Sequence, residues 1–158
     1  MSGFSSSPAP PATPDGQTLS CGPFWPDIDI NDFRNAMRIG GTAIPDDRVS
    51  DALLGAVISV DRDLSLWRAS READGNATLV SVSDVQIGGE NRLALIFRRA
   101  VYAYAAADLL ETHRDVTATG TGQSRAPEMD MRADDHRRNA VHAIRDIKGL
   151  GRTTVELI

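Results

Sequence analysis

Cysteine is nearly missing from this chain: Cys21 is the only one in 158 residues. No disulfide can close within the chain, so a disulfide framework is excluded and a reducing compartment suits it. Cys21 also lies outside the patterned part of the sequence with no base placed beside it, which gives a nucleophilic role no support. An excess of positive charge is missing as well, since the formal net charge is -5. Coating DNA without regard to sequence needs the opposite balance. No stretch approaches the ~18 consecutive apolar residues of a membrane span. The first residues have neither a basic start nor an apolar run, so no secretory signal is expected, and the sequon Asn76-Ala77-Thr78 reads as chance. There is no repeat of solenoid length, and the heptads are too imperfect for a long coiled coil. What is present is ordinary for a globular protein: 41% hydrophobic and 25% charged residues, in a length that fits one domain.

Residues 1–23 are dominated by Ser, Pro, Ala and Gly and are expected to form a flexible arm, because they bury too little to offset their ordering entropy. A first short helix is expected from Asp27 to Ile39. Ile30, Phe33 and Met37 fall at helical spacing, Asp27 or Asp29 can cap the start, and Gly40-Gly41 supplies a stop. The second helix opens at Pro45-Asp46-Asp47, where proline suits the first turn and carboxylates suit the positive end of the dipole. Val49, Leu53, Ala56, Val57, Val60, Leu64 and Trp67 then share one arc ~100° wide, and Asp74-Gly75 ends the run. Residues 78–88 break the rhythm and suggest a short strand or hairpin.

A third helix is expected from Glu90 to Arg114. It is apolar on several sides and rich in alanine, the pattern of a central helix that lets its neighbours approach closely. After a Thr/Gly-rich loop, a fourth helix spans Pro127 to Lys148 and is closed by Gly149. Met129, Ala133, His136, Ala140, Ile144 and Ile147 form its apolar arc. The fold expected is therefore all-α: a four-helix bundle with an arm at 1–23, a body at 24–148 and an extended tail at 149–158.

Two surface features stand apart from this core pattern. On the second helix, Leu54 and Ile58 lie outside the main apolar arc, with Asp47 and Asp51 alongside. Such a second strip meets either another helix of the same chain or a neighbouring copy. On the fourth helix, Arg137, Arg138, Arg145 and Lys148 make a basic arc, which is either a solvated face with internal salt bridges or a docking surface.

Little in the sequence points to catalysis or metal binding. His136 and His142 are six residues apart and so sit on different faces of a helix, where two zinc ligands would want a spacing of three or four. Asp134-Asp135-His136 diverges by ~100° per residue and does not converge on one point. Gly120-Thr121-Gly122 follows a helix and is not followed by the lysine of a phosphate loop. No catalytic residue, metal site or cofactor is expected.

Several segments carry a further signal in their order. They are Phe24-Trp25-Pro26-Asp27-Ile28, Phe33-Arg34, Pro45-Asp46-Asp47-Arg48-Val49, the helix ending in Trp67, and Arg99-Ala100-Val101-Tyr102. Thr119-Gly120, Ala133-Asp134-Asp135, Ile144-Arg145-Asp146-Ile147-Lys148-Gly149 and the terminal Arg152-Thr153-Thr154-Val155-Glu156-Leu157-Ile158 follow. In this order they resemble the head completion protein (GPL) family of contractile-tailed temperate phages, over residues 24–158. The resemblance implies a connector subunit and not an enzyme. It would join the portal protein after DNA packaging as a dodecameric ring of neighbouring copies, continue the DNA channel, help retain the DNA, and offer a platform to a tail terminator or neck protein. DNA would pass without sequence-specific binding, no membrane would be involved, and the protein would sit in the neck of the virion after assembly in the host cytoplasm.

On that reading Arg152, Thr153, Thr154, Val155, Glu156, Leu157 and Ile158 are the portal-docking residues, because an extended apolar segment can add main-chain hydrogen bonds to another chain. Leu54, Ile58, Arg138 and Arg145 are the inter-subunit candidates. The alternative is a small helical DNA-binding regulator that uses the basic fourth helix as its contact face.

Overall fold

The computed structural model describes residues 16–39, 44–116 and 126–151, of which 113–116 and 126–131 are described by their backbone alone. Four helices carry the architecture: α1 (Ile30–Met37), α2 (Asp46–Ala73), α3 (Arg92–Val116) and α4 (Ala126–Ile147). Two very small antiparallel sheets accompany them. Strand β1 (Thr18–Leu19) pairs with β2 (Ile28–Asp29), and β3 (Gln86–Ile87) pairs with β4 (Glu90–Asn91).

Helix α2 has the span its apolar rhythm implies. Pro45 stands at its N-cap, Asp46 and Asp47 fill the first turn, and Asp74 closes it. Of the seven residues in the expected arc, Val49, Leu53, Ala56, Val60 and Leu64 are buried, while Val57 and Trp67 are partly buried against the same core.

Helix α1 is shorter than its spacing suggested. The Asp29 side chain caps its start by accepting from the Asp32 N–H at 3.0 Å. It ends at Met37 and not at Ile39, because Arg38 takes a left-handed conformation with φ 55°. That turn lets the Ile39 N–H reach back to the Arg34 carbonyl at 2.9 Å and satisfies an orphan acceptor of the last turn. The glycines expected to stop it lie outside the described residues.

The segment after α2 forms a 3₁₀ turn at Leu79–Val82 and then the β3–β4 hairpin, so regular pairing falls slightly later than residues 78–88. Gly88 and Gly89 both have positive φ, as a two-residue hairpin turn requires. Asn91 ties this loop to α3. Its amide nitrogen donates to the carbonyls of Ser83 and Val80 at 2.6 and 3.2 Å, and its oxygen accepts from the N–H groups of Leu93 and Ala94. The chain leaves α4 through Gly149, whose φ of 70° suits a residue without Cβ. The Leu150 N–H there bonds the Arg145 carbonyl at 2.9 Å.

Helix α3 is the centre of the bundle, as its many-sided apolarity implies. It packs most extensively on α4, then on α2, while α2 and α4 scarcely meet. Ala100, Ala103, Ala105, Ala106 and Ala107 are all buried, and these small side chains bring the helices close.

The aromatic residues join the pieces. Trp25 stacks on Phe97 at 4.8 Å with planes 4° apart, Phe24 meets Trp25 and Trp67 edge-on, and Phe33 meets Tyr102 edge-on. The last part of the expected arm also enters the fold. Leu19 and Cys21 pack against the core, and the Ile30 N–H donates to the Gln17 carbonyl at 3.1 Å.

Two outcomes test this core. Leu53 is 0% exposed, so Leu53→Ala should destabilise by ~2–5 kcal/mol in urea unfolding, and a change near zero would show a solvent-facing arc. The Tyr102 hydroxyl is buried without a hydrogen-bond partner among the described residues, and burial pushes its pKa up from 10.0 to about 12. The unfolded chain ionises first, so stability present below pH 10 should fall as pH rises toward 12. Tyr102→Phe should lessen that fall and leave stability at neutral pH equal or higher, as measured by thermal melts across pH.

Candidate functional site

Among the described residues no group of three or more His, Cys, Asp or Glu side chains is placed to hold a metal ion. Asp134 and Asp135 are exposed and turn to different arginines, Arg137 and Arg138, while His136 is half-buried on the adjoining face. The three neighbours in sequence therefore do not form a joint site. No helix of the described residues is long and apolar enough to cross a membrane.

Two of the four basic residues of the α4 arc, Arg137 and Arg138, are paired with acids. Arg137 forms an ion pair with Glu111 of α3 and another with Asp134 at 3.2 Å. The Glu111 hydrogen bond raises the Arg137 pKa further, so the guanidinium stays charged and occupied. Arg138 pairs with Asp135 at 2.8 Å, and Arg145 donates to the Gly151 carbonyl at 2.8 Å. At Arg137 and Arg138 this is a solvated, internally bridged face. Exposed pairs of this kind are worth roughly 0–1 kcal/mol each, so their effect is to neutralise charge more than to hold the fold.

The second strip of α2 is where helical spacing puts it. Leu54 is 42% exposed and Ile58 67% exposed, and neither is among the described residues that pack against the core. Asp51 and Asp47 stand one and two turns before Leu54 on the same side and are exposed. Neither forms an ion pair among the described residues. The strip is an apolar ridge with an acidic end, produced because α2 spends its Leu53 arc entirely on the core. The inter-subunit candidates thus divide: Leu54 and Ile58 are open, whereas Arg138 and Arg145 already have partners in the chain. The portal-docking candidates Arg152 to Ile158 lie outside the described residues.

Sequence spacing missed the grooves, because each is made by several elements. One of about 370 Å³ opens between the end of α1, α3 and α4, floored by Met37, Ile39, Ile44, Leu109 and Leu110 and edged by Arg38, Arg132 and His136. A second, of about 320 Å³, lies between α2 and α3 over Ala52, Gly55 and Ser59, with Tyr104, Glu111 and Arg137 at its side. No single-helix periodicity could have announced either one. In neither does an acid, base and nucleophile converge as acyl or phosphoryl chemistry would need.

The residues that carry the ordered sequence pattern have structural work. The Trp25 indole N–H donates to Asp61 Oδ1 at 2.7 Å, and Asp61 is also bound by Arg68. The Phe24 carbonyl accepts from the Leu79 N–H at 2.8 Å. Arg34, buried on α1, donates to the Ile44 carbonyl at 2.8 Å and to Asp46 at 2.6 Å, and so fixes α1 to the start of α2. The pattern marks how the fold is joined and not a reaction centre.

Comparison with known proteins agrees with that pattern. The profile of the family described as phage head completion protein (GPL) matches residues 19–158. The chain is 32% identical over 135 residues to the head completion/stabilization protein of Escherichia phage P2, covering 85% of this chain and 79% of that one. It is 30% identical over 138 residues to the probable head completion/stabilization protein of Haemophilus phage HP1 (strain HP1c1), covering 85% and 88%. No solved structure matches it significantly. With the family profile spanning nearly all of the described fold, the chain belongs to the phage head completion protein (GPL) family, whose members are structural proteins of the phage virion and not enzymes.

Proposed function

We propose that this chain completes the phage head as a ring of copies below the portal, which extends the DNA channel, helps retain packaged DNA and presents a platform for the tail. The observation that carries the reading is the open Leu54–Ile58 strip, which lies beside the buried Leu53 arc of α2 and outside the core. Two apolar side chains one turn apart on an exposed helix face suit contact with another chain. A single subunit that uses one face to meet a different face of the next makes a heterologous contact, and such contacts close into rings when the rotation divides a full turn.

The portal, a tail terminator or neck protein and the packaged DNA are the partners on this reading. The net charge of -5 suits a channel wall past which phosphate moves without sticking. The terminal residues Val155, Leu157 and Ile158 are apolar and suited to an extended strand, so the segment from Arg152 to Ile158 is the proposed attachment to the portal. Arg138 and Arg145 remain in the proposed inter-subunit surface only through exchange of their internal partners. The DNA-binding regulator is disfavoured, because Arg137 and Arg138 of the basic arc are matched by Glu111, Asp134 and Asp135.

Three outcomes check this reading. Deleting Val155 to Ile158 should leave a folded helical chain that no longer joins heads, with far-UV circular dichroism and head-completion assays as the two measurements. If the truncated chain joins heads normally, the attachment through the tail is wrong. Ile58→Asp should keep its thermal stability within about 0.5 kcal/mol of the parent, as exposed substitutions do, and lose assembly on heads. A gel shift at low salt should show no DNA binding, and binding abolished by Arg138→Glu would restore the regulator.

A further inference from the structure

The Leu54–Ile58 strip needs a receiving surface, and the groove between α1, α3 and α4 has the matching chemistry. We infer that the groove of one copy takes the α2 strip of the next, with Leu54 and Ile58 against Met37, Ile39 and Leu110 and with Asp47 and Asp51 facing Arg38 and Arg132. This inference rests on the ring proposed above and names its contact.

Both surfaces pair an apolar part with charge of one sign, and the signs are opposite. The strip runs Asp47, Asp51, Leu54, Ile58 at steps of four, three and four, so these side chains line one face of the helix. The groove, of about 370 Å³, is deep enough to admit branched side chains, and its rim holds Arg38, Arg132 and His136. Arg38 and Arg132 form no ion pair among the described residues, and the same holds for Asp47 and Asp51. Among the described residues these four charges lack ion-pair partners, two acids on one surface and two bases on the other.

Position supports the same pairing. The strip is on the side of α2 turned away from α3, since Leu53 and Val60 of the same helix are fully buried on the near side. The groove opens beside α3 at Ala106, Leu109 and Leu110, toward α1 and α4. Helices α2 and α4 scarcely touch, with α3 between them. A strip and a groove on different elements of one subunit meet head to tail between copies, which is the contact a closed ring uses. Desolvating apolar side chains at the centre and leaving charges at the edge is also the usual anatomy of a protein interface.

Site-directed cross-linking on assembled heads tests it. The full chain carries Cys21→Ser together with Ile58→Cys and Leu110→Cys, and a short bismaleimide is added to completed particles. The expected result is a ladder of covalent multimers, with no dimer from a chain bearing Ile58→Cys alone. Complete, tail-ready heads without the ladder overturn the pairing while leaving the head-completion reading intact. A dimer from Ile58→Cys alone marks a two-fold contact and overturns it too. Cross-linking of Leu110→Cys to Leu157→Cys assigns the groove to the C-terminal segment instead, which also overturns it.

Charge exchange gives an independent measure. Asp51→Arg and Arg132→Asp should each lower head completion at least tenfold, and the two together in one chain should restore it. No restoration overturns the pairing. Heads that never acquire the parent chain at all would instead refute the proposed function.

Discussion

The indole of Trp25 lies flat on the ring of Phe97, and the bundle is organised around that contact. Helix α3 has α2 on one side and α4 on another, yet α2 and α4 give each other almost no support. The segment before α1 fills what would otherwise be an open seam between α2 and α3. Trp25 does so with its ring on Phe97 and its N–H on Asp61 of α2, so one residue touches both helices. Phe24 extends the contact to Trp67 and anchors the 3₁₀ turn through its carbonyl. Stacked and edge-on aromatic pairs add ~0.5–1.5 kcal/mol beyond the area they bury. Several acting in one network hold a segment that has almost no regular structure of its own.

That constraint explains why the family pattern includes short polar and aromatic segments far apart in the chain. Phe24-Trp25, Arg34 and Asp46 do not surround a pocket for chemistry; they join α1, α2 and α3. Arg34 is the clearest case. A buried guanidinium needs partners for its charge and donors, and here Asp46 and the Ile44 carbonyl, at the start of α2, both accept from its Nη2. Two features stand at the surface beside this joined interior: an acidic apolar ridge on α2 and a basic apolar groove across the bundle. A protein whose family completes phage heads does its work by contact, and these two surfaces are where contact chemistry is left over.

Much of the architecture was legible from residue spacing. The Val49-to-Leu64 rhythm set the span and buried face of α2, the alanine-rich, many-sided apolarity of α3 set its central place, and Leu54 with Ile58 stood off the core arc before any packing was known. Other features were not legible, each for a physical reason. The end of α1 at Met37 depends on Arg38 entering a left-handed conformation, which side-chain periodicity does not report. The β1–β2 pair forms because the chain returns to itself after Trp25, a long-range event with only two residues per strand. The sequence left the basic arc of α4 as either a bridged face or a docking surface, and Glu111 reaches Arg137 from a helix the arc does not contain.

The sequence by itself determined the helices, their buried faces and the family, because spacing along one helix and an ordered set of residues are properties of a single strand of text. Tertiary structure decided which charges are spent and which surfaces stay open. Ion pairs and grooves belong to two or three elements at once, and only packing brings Met37, Leu110 and Arg132 to one place or sets Glu111 against Arg137.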